Sequence, residues 1–159
     1  MAYHHVQIGW AVILGSVAGL GLALAVTLSL SAATLAAVPW LVAALFGLLA
    51  LGLLTYSTLT VQVTADRILV RFGIGFIRKA IDLADVVGCQ VVRTPSWWGW
   101  GLHWTPSGWL YNVSGRDAVR LELKSERPVM VGSDEAERLK DAIDLRLQQR
   151  KAQAIRTKL

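Results

Sequence analysis

Residues 8–30 read IGWAVILGSVAGLGLALAVTLSL, an apolar run broken only by Gly, Ser and Thr. At about 1.5 Å of rise per residue, such a run makes a helix roughly 30 Å long, the thickness of a bilayer's hydrocarbon core. A second run, VPWLVAALFGLLALGLL over residues 38–54, extends through Tyr56 toward Leu59. The link SAATLAA between them, with Pro39 following, has the small residues and helix-starting proline of a tight turn. Together these predict an antiparallel transmembrane hairpin over residues 1–57.

Trp10, Trp40 and Tyr56 fall near the expected interfaces, where rings with one apolar and one wet end are favoured. Gly15-x-x-x-Gly19 and Ala43-x-x-x-Gly47 are small-residue pairs that let helix backbones approach, within the hairpin or between copies. A cleavable signal peptide is disfavoured, because residues 1–7 offer only His4 and His5 as basic groups and the second run stays unexplained.

Charge is distributed to match. The chain holds 16 Lys and Arg and 11 Asp and Glu, and none precedes Asp66. The link has no basic residue, whereas Arg67, Arg71, Arg78 and Lys79 follow the second run. The positive-inside rule then places both termini and the charged domain in the cytoplasm, with the hairpin in the inner membrane. No ionisable residue lies in either run, so an anchor is expected rather than a transport path.

After Tyr56 the pattern alternates. Residues 58–64, 68–72, 76–81, 86–93, 109–113, 118–123 and 128–131 read as strands, separated by turns such as Gly73-Ile74-Gly75. Asp134 stands three residues before Glu137 as in a capping box, and Ala136, Leu139, Ile143 and Leu147 recur at helical spacing. An α+β chain is expected: the hairpin, then an antiparallel barrel of about seven strands with a C-terminal amphipathic helix over residues 58–159.

The stretch GLHWTPSGWLYNVSG (101–115) and VGSDE (131–135), set behind a two-helix hairpin, resemble bacterial membrane proteins with a pleckstrin-homology-like (PH-like) domain. The resemblance implies a fold and a location but no activity. It does not bring a phosphoinositide site, because the first hairpin loop, Thr64-Ala65-Asp66-Arg67, lacks a basic cradle.

Counting strand directions from the membrane places Gly73–Gly75, residues 95–101 and residues 124–127 near the bilayer, with Ala65–Arg67 and residues 114–117 far from it. Five of the 7 Trp lie between Trp97 and Trp109. Arg71, Arg78 and Lys79 are therefore expected to contact anionic headgroups, and Trp97, Trp98 and Trp100 to rest in the interface. Gly15, Gly19, Ala43 and Gly47 are the helix-packing candidates, toward a membrane-protein partner or a second copy.

Other signals are weaker. Lone Cys89 excludes an intrachain disulfide and reads as a small core residue. His4 and His5 fall in a free tail, and with His103 are too scattered for a metal site. Asp82 and Asp85 flank a turn, and Asn112-Val113-Ser114 is a sequon on a strand. Arg146, Arg150, Lys151, Arg156 and Lys158 suit a helix end, and the tail lacks the aromatics that single-stranded nucleic acid needs. No catalytic residue, metal or cofactor is expected, and no nucleic-acid partner.

Overall fold

The computed structural model describes residues 3–156; Lys158 of the basic tail lies outside them. The first apolar run forms α1 (Trp10–Ser29) and the second α3 (Pro39–Tyr56), with Pro39 in the first turn, where its missing N–H is harmless. The link coils into a short helix, α2 (Ala32–Ala37), capped by the Ser31 hydroxyl, which accepts from Thr34 N–H at 3.2 Å. Helices α1 and α3 pack together, are long and apolar enough to cross a membrane, and only 6% of each span is buried.

A strand precedes them. Residues 3–8 form β1 (Tyr3–Ile8), antiparallel to β2 (Thr58–Val63) in a register that sets Ile8 opposite Thr58. This corrects the free-tail reading of His4 and His5. Alternation is the reason: Tyr3, His5 and Gln7 turn inward and His4, Val6 and Ile8 outward, a period of two that a window dominated by the next helix conceals. The β-rich part of the molecule thus takes one strand from before the hairpin.

Strand β3 (Arg67–Phe72) and β4 (Arg78–Asp82) complete a four-stranded antiparallel sheet, ordered β1-β2-β3-β4. The second sheet holds β5 (Val86–Arg93), β6 (Gly101–Thr105), β7 (Gly108–Asn112), β8 (Asp117–Leu123) and β9 (Val129–Gly132), in the order β5-β8-β9-β7-β6. The two sheets do not join by hydrogen bonding, so no closed barrel forms, and β7 runs parallel to β9 rather than in a meander. Between the sheets lie Leu59, Val61, Phe72, Val119, Leu121 and Val131, all buried.

Helix α4 (Ala136–Arg156) packs on β5 and β8 and buries Ala136, Leu139 and Ile143. Its start departs from the expected capping box. Ser133 Oγ accepts from Glu135 N–H at 3.1 Å, while Asp134 faces His5.

Strand β6 also revises the strand directions. It supplies an outward stroke that the seven-strand count lacked, so every later turn changes ends. Ser114 Oγ donates to Ile8 O at 3.1 Å, beside the start of α1. Lys124 instead lies at the far end, its N–H donating to Asp85 O at 2.9 Å and its Nζ to Ala84 O at 2.6 Å. Residues 114–116 are therefore near the helices and Lys124 is far from them, the reverse of the expectation.

Candidate functional site

The end of the β-sheets that meets the helices is built by close backbone contact. Gly9 N–H donates to Ser57 O at 2.7 Å, and a Cβ at Gly9 would lie 2.8 Å from Tyr56 O. On the other side the β3–β4 turn rests on the last turn of α3. Gly73 N–H donates to Thr58 O at 2.8 Å and Ile74 N–H to Leu54 O at 3.4 Å, so the turn supplies a donor to a helix-end carbonyl. Gly73 holds φ +43°, and a Cβ there would overlap Leu54 O. Only glycine meets both demands.

An aromatic column ties this junction to the core. The Tyr56 ring meets Phe72 edge-on at 5.5 Å, and Phe72 stacks on Tyr111 at 6.0 Å. Such contacts add about 1 kcal/mol each beyond buried area.

Around the junction stand exposed apolar side chains. Ile74 is 61% exposed and Phe76 70%, both in or beside the β3–β4 turn. Residues 94–101 approach from the second sheet: Gly101 lies beside the Tyr56 ring, and Thr94 and Arg116 exchange hydrogen bonds through Thr94 N, Oγ1 and O. A 3₁₀ turn at Ser96–Trp98 then throws Trp97 outward, 83% exposed, with Trp100 at 49%. Trp98 behaves differently. It folds onto Leu110, Ala118 and Met130 and covers the outer face of the second sheet. Its packing there separates it from its two neighbours in the expected set.

The basic candidates divide likewise. Lys79 lies on the same side of β4 as buried Ile81, and its Nζ meets the exposed Glu126 at 3.2 Å. Arg71 and Arg78 are exposed on the outer face of the first sheet, directly opposite each other in the β3–β4 register, and neither has an ion pair among the described residues.

Of the four expected helix-packing residues, Gly19 alone faces the other helix, with Leu49 Cδ2 3.5 Å from its would-be Cβ. Gly15 and Gly47 meet nothing within 4 Å, and Ala43 is exposed. Cys89 is half-buried; Sγ donates to Asp144 Oδ1 at 3.2 Å, and burial first, then that carboxylate, pushes the thiol up to about 12. Among the described residues no three of His, Cys, Asp and Glu stand together as metal ligands.

Two contributors escaped the sequence reading, Ile74 and Phe76. The available signal was an isoleucine at a turn tip between glycines, where polar residues are usual. No protein-family model, curated protein or solved structure matches the chain.

Proposed function

We propose that the protein is a membrane-anchored, PH-like binding or scaffold module, without catalysis, held against the cytoplasmic face of the inner membrane by α1 and α3. The observation that carries this reading is the exposure of Ile74, Phe76, Trp97 and Trp100 around the point where the two helices leave the sheets. Large apolar side chains are seldom grouped in water unless they meet a partner or a bilayer. Tryptophan favours the headgroup boundary, and a collar at the base of two apolar helices would sit at that depth. The helices themselves expose Leu14, Leu22, Leu28 and Leu48, which suits lipid and not water. Two packed sheets with a C-terminal helix on the second support the PH-like assignment; the parallel β7–β9 pair and strand β1 are departures from the expected meander.

The test uses the full chain in liposomes of phosphatidylcholine and phosphatidylglycerol. An environment-sensitive dye is attached in turn through Ile74→Cys, Trp97→Cys and Asp66→Cys, in a Cys89→Ser background. Blue-shifted emission at positions 74 and 97, with water-like emission at 66, is expected. Water-like emission at all three would refute the collar's contact with lipid.

A second reading has its own observation. Gly15, Ala43 and Gly47 lie outside the α1–α3 contact. A small-residue face left open in lipid suits a helix of another protein, as in an accessory subunit, or of a second copy.

A further inference from the structure

The outer face of the first sheet carries a feature that lipid anchoring alone does not need. Across the ladder, Val6, Thr60, Arg71 and Arg78 form one row, each residue opposite the next. Like charges directly opposed on antiparallel strands repel, with Cβ atoms about 5 Å apart. Six carboxylates elsewhere in the β-rich part and α4 form ion pairs with Lys or Arg side chains: Asp66, Asp117, Glu122, Glu126, Glu135 and Asp144. Among the described residues none forms an ion pair with Arg71 or Arg78. The two guanidiniums border a concavity of about 460 Å³ whose floor includes Thr60, Gln62 and Leu69.

The geometry points to a two-arginine clamp for the phosphodiester of an anionic phospholipid, on the outer face of the β1–β4 sheet. This rests on the reading that α1 and α3 cross a membrane. Three features on the face choose the ligand. Paired guanidiniums present forked N–H donors that match phosphate oxygens. The row lies two residues from Gly73, roughly 7 Å of strand from the last turn of α3. The headgroup layer on each side of a bilayer is also about 5–7 Å deep. Lys79 borders the same concavity, but its ammonium is already paired with Glu126, so it takes no part. Phosphate seated between Arg71 and Arg78 removes the repulsion between them.

The full-length chain in neutral detergent is titrated in separate arms with dihexanoyl phosphatidylglycerol, dihexanoyl phosphatidylcholine and inorganic phosphate. Native mass spectrometry counts the adducts. One saturable phosphatidylglycerol adduct is expected, at least about 10-fold tighter than phosphatidylcholine. It weakens about 5-fold in Arg71→Gln and in Arg78→Gln, the worth of one cation near an anionic surface, and is unchanged in Lys79→Gln. Arg71→Lys, which keeps the charge but loses the fork, gives an intermediate value and covers the case in which Arg71→Gln misfolds. Equal retention of both lipids, or a loss in Lys79→Gln as large as in Arg71→Gln, overturns the clamp. Binding of phosphate with no preference for phosphatidylglycerol overturns the lipid source. Extraction of membranes at alkaline pH separates the two readings. A chain released by carbonate refutes the anchor, whereas a chain retained but indifferent to headgroup refutes the clamp alone.

Discussion

His5 Nε2 lies 2.6 Å from Asp134 Oδ1, joining the strand before α1 to the segment that begins α4, 129 residues away in sequence. Glu135 Oε2 stands 3.5 Å from the other ring nitrogen. Gln7 adds a second tie through Nε2 to Ser114 O at 3.0 Å. The segment before the hairpin is therefore part of the folded unit that follows it.

A first prediction is that residues 58–159 alone are an incomplete folding unit. Without β1, strand β2 becomes a bare edge, and such edges associate. Joining residues 3–8 to residue 58 through a short Gly-Ser loop, in place of the hairpin, restores the edge because Ile8 already faces Thr58. Thermal unfolding checks this. The joined chain is expected to exceed 58–159 by about 2 kcal/mol, on the order of 10 °C in Tm. Equal Tm values and equal solubility would count against a structural role for β1.

Trp97 and Trp98 are sequence neighbours with opposite expectations. Trp98→Ala uncovers Leu110, Ala118 and Met130 and is expected to cost about 3 kcal/mol. Trp97→Ala, at a side chain that touches little, changes stability by less than about 0.5 kcal/mol. Denaturant unfolding of the two variants reads the difference directly.

On the helices, Gly19→Leu and Gly47→Leu separate packing inside the hairpin from packing outside it. Leu49 already lies 3.5 Å from the would-be Cβ of Gly19, so Gly19→Leu is expected to prise α1 from α3 and lower Tm. Gly47→Leu enters open space and leaves Tm unchanged, but blocks close approach by another helix. Crosslinking of the full chain in membranes is the readout. A dimer or a captured partner band that survives Gly47→Leu excludes this face from the contact.

Cys89 is expected to resist thiol reagents at neutral pH, since its thiol is raised to about 12, first by burial and then by the Asp144 carboxylate. Reactivity rises with pH toward that value, because the thiolate is the nucleophile. The stability consequence has a definite sign. The unfolded thiol ionises near its ordinary value of 9.0. Between that pH and about 12 the folded state holds a proton that the unfolded state has lost, so stability falls as pH rises. Asp144→Asn removes the carboxylate and is expected to speed disulfide-exchange labelling at pH 8 several-fold. An unchanged rate would assign the suppression to burial alone.

The helices were legible because a charge-free apolar run long enough to span a bilayer has few competing readings. Most strand positions were legible too, since β2, β3 and β8 alternate and β5 and β9 are short apolar runs, each bounded by clear turn signals. Strand β6 was hidden by composition. Gly101 to Thr105 contains His103 and Trp104, lies beside a loop dense in Trp and Gly, and runs into Pro106. One missed strand reversed the near and far ends of everything after it. Strand β1 was hidden by its neighbour, because six alternating residues carry little weight beside a twenty-residue helix.

Composition and periodicity thus determined by themselves that two apolar helices precede a β-rich unit ending in an amphipathic helix. These are local properties, set by solvent preference and by the repeat of each element. Tertiary structure alone decided that Tyr3–Ile8 completes the first sheet, that Ile74 and Phe76 join Trp97 and Trp100 at the helix base, and that Arg71 faces Arg78 while Lys79 turns to Glu126. Those outcomes depend on strand pairing and register. A shift of one residue moves every side chain to the opposite face, and no local pattern specifies which distant strand supplies the partner.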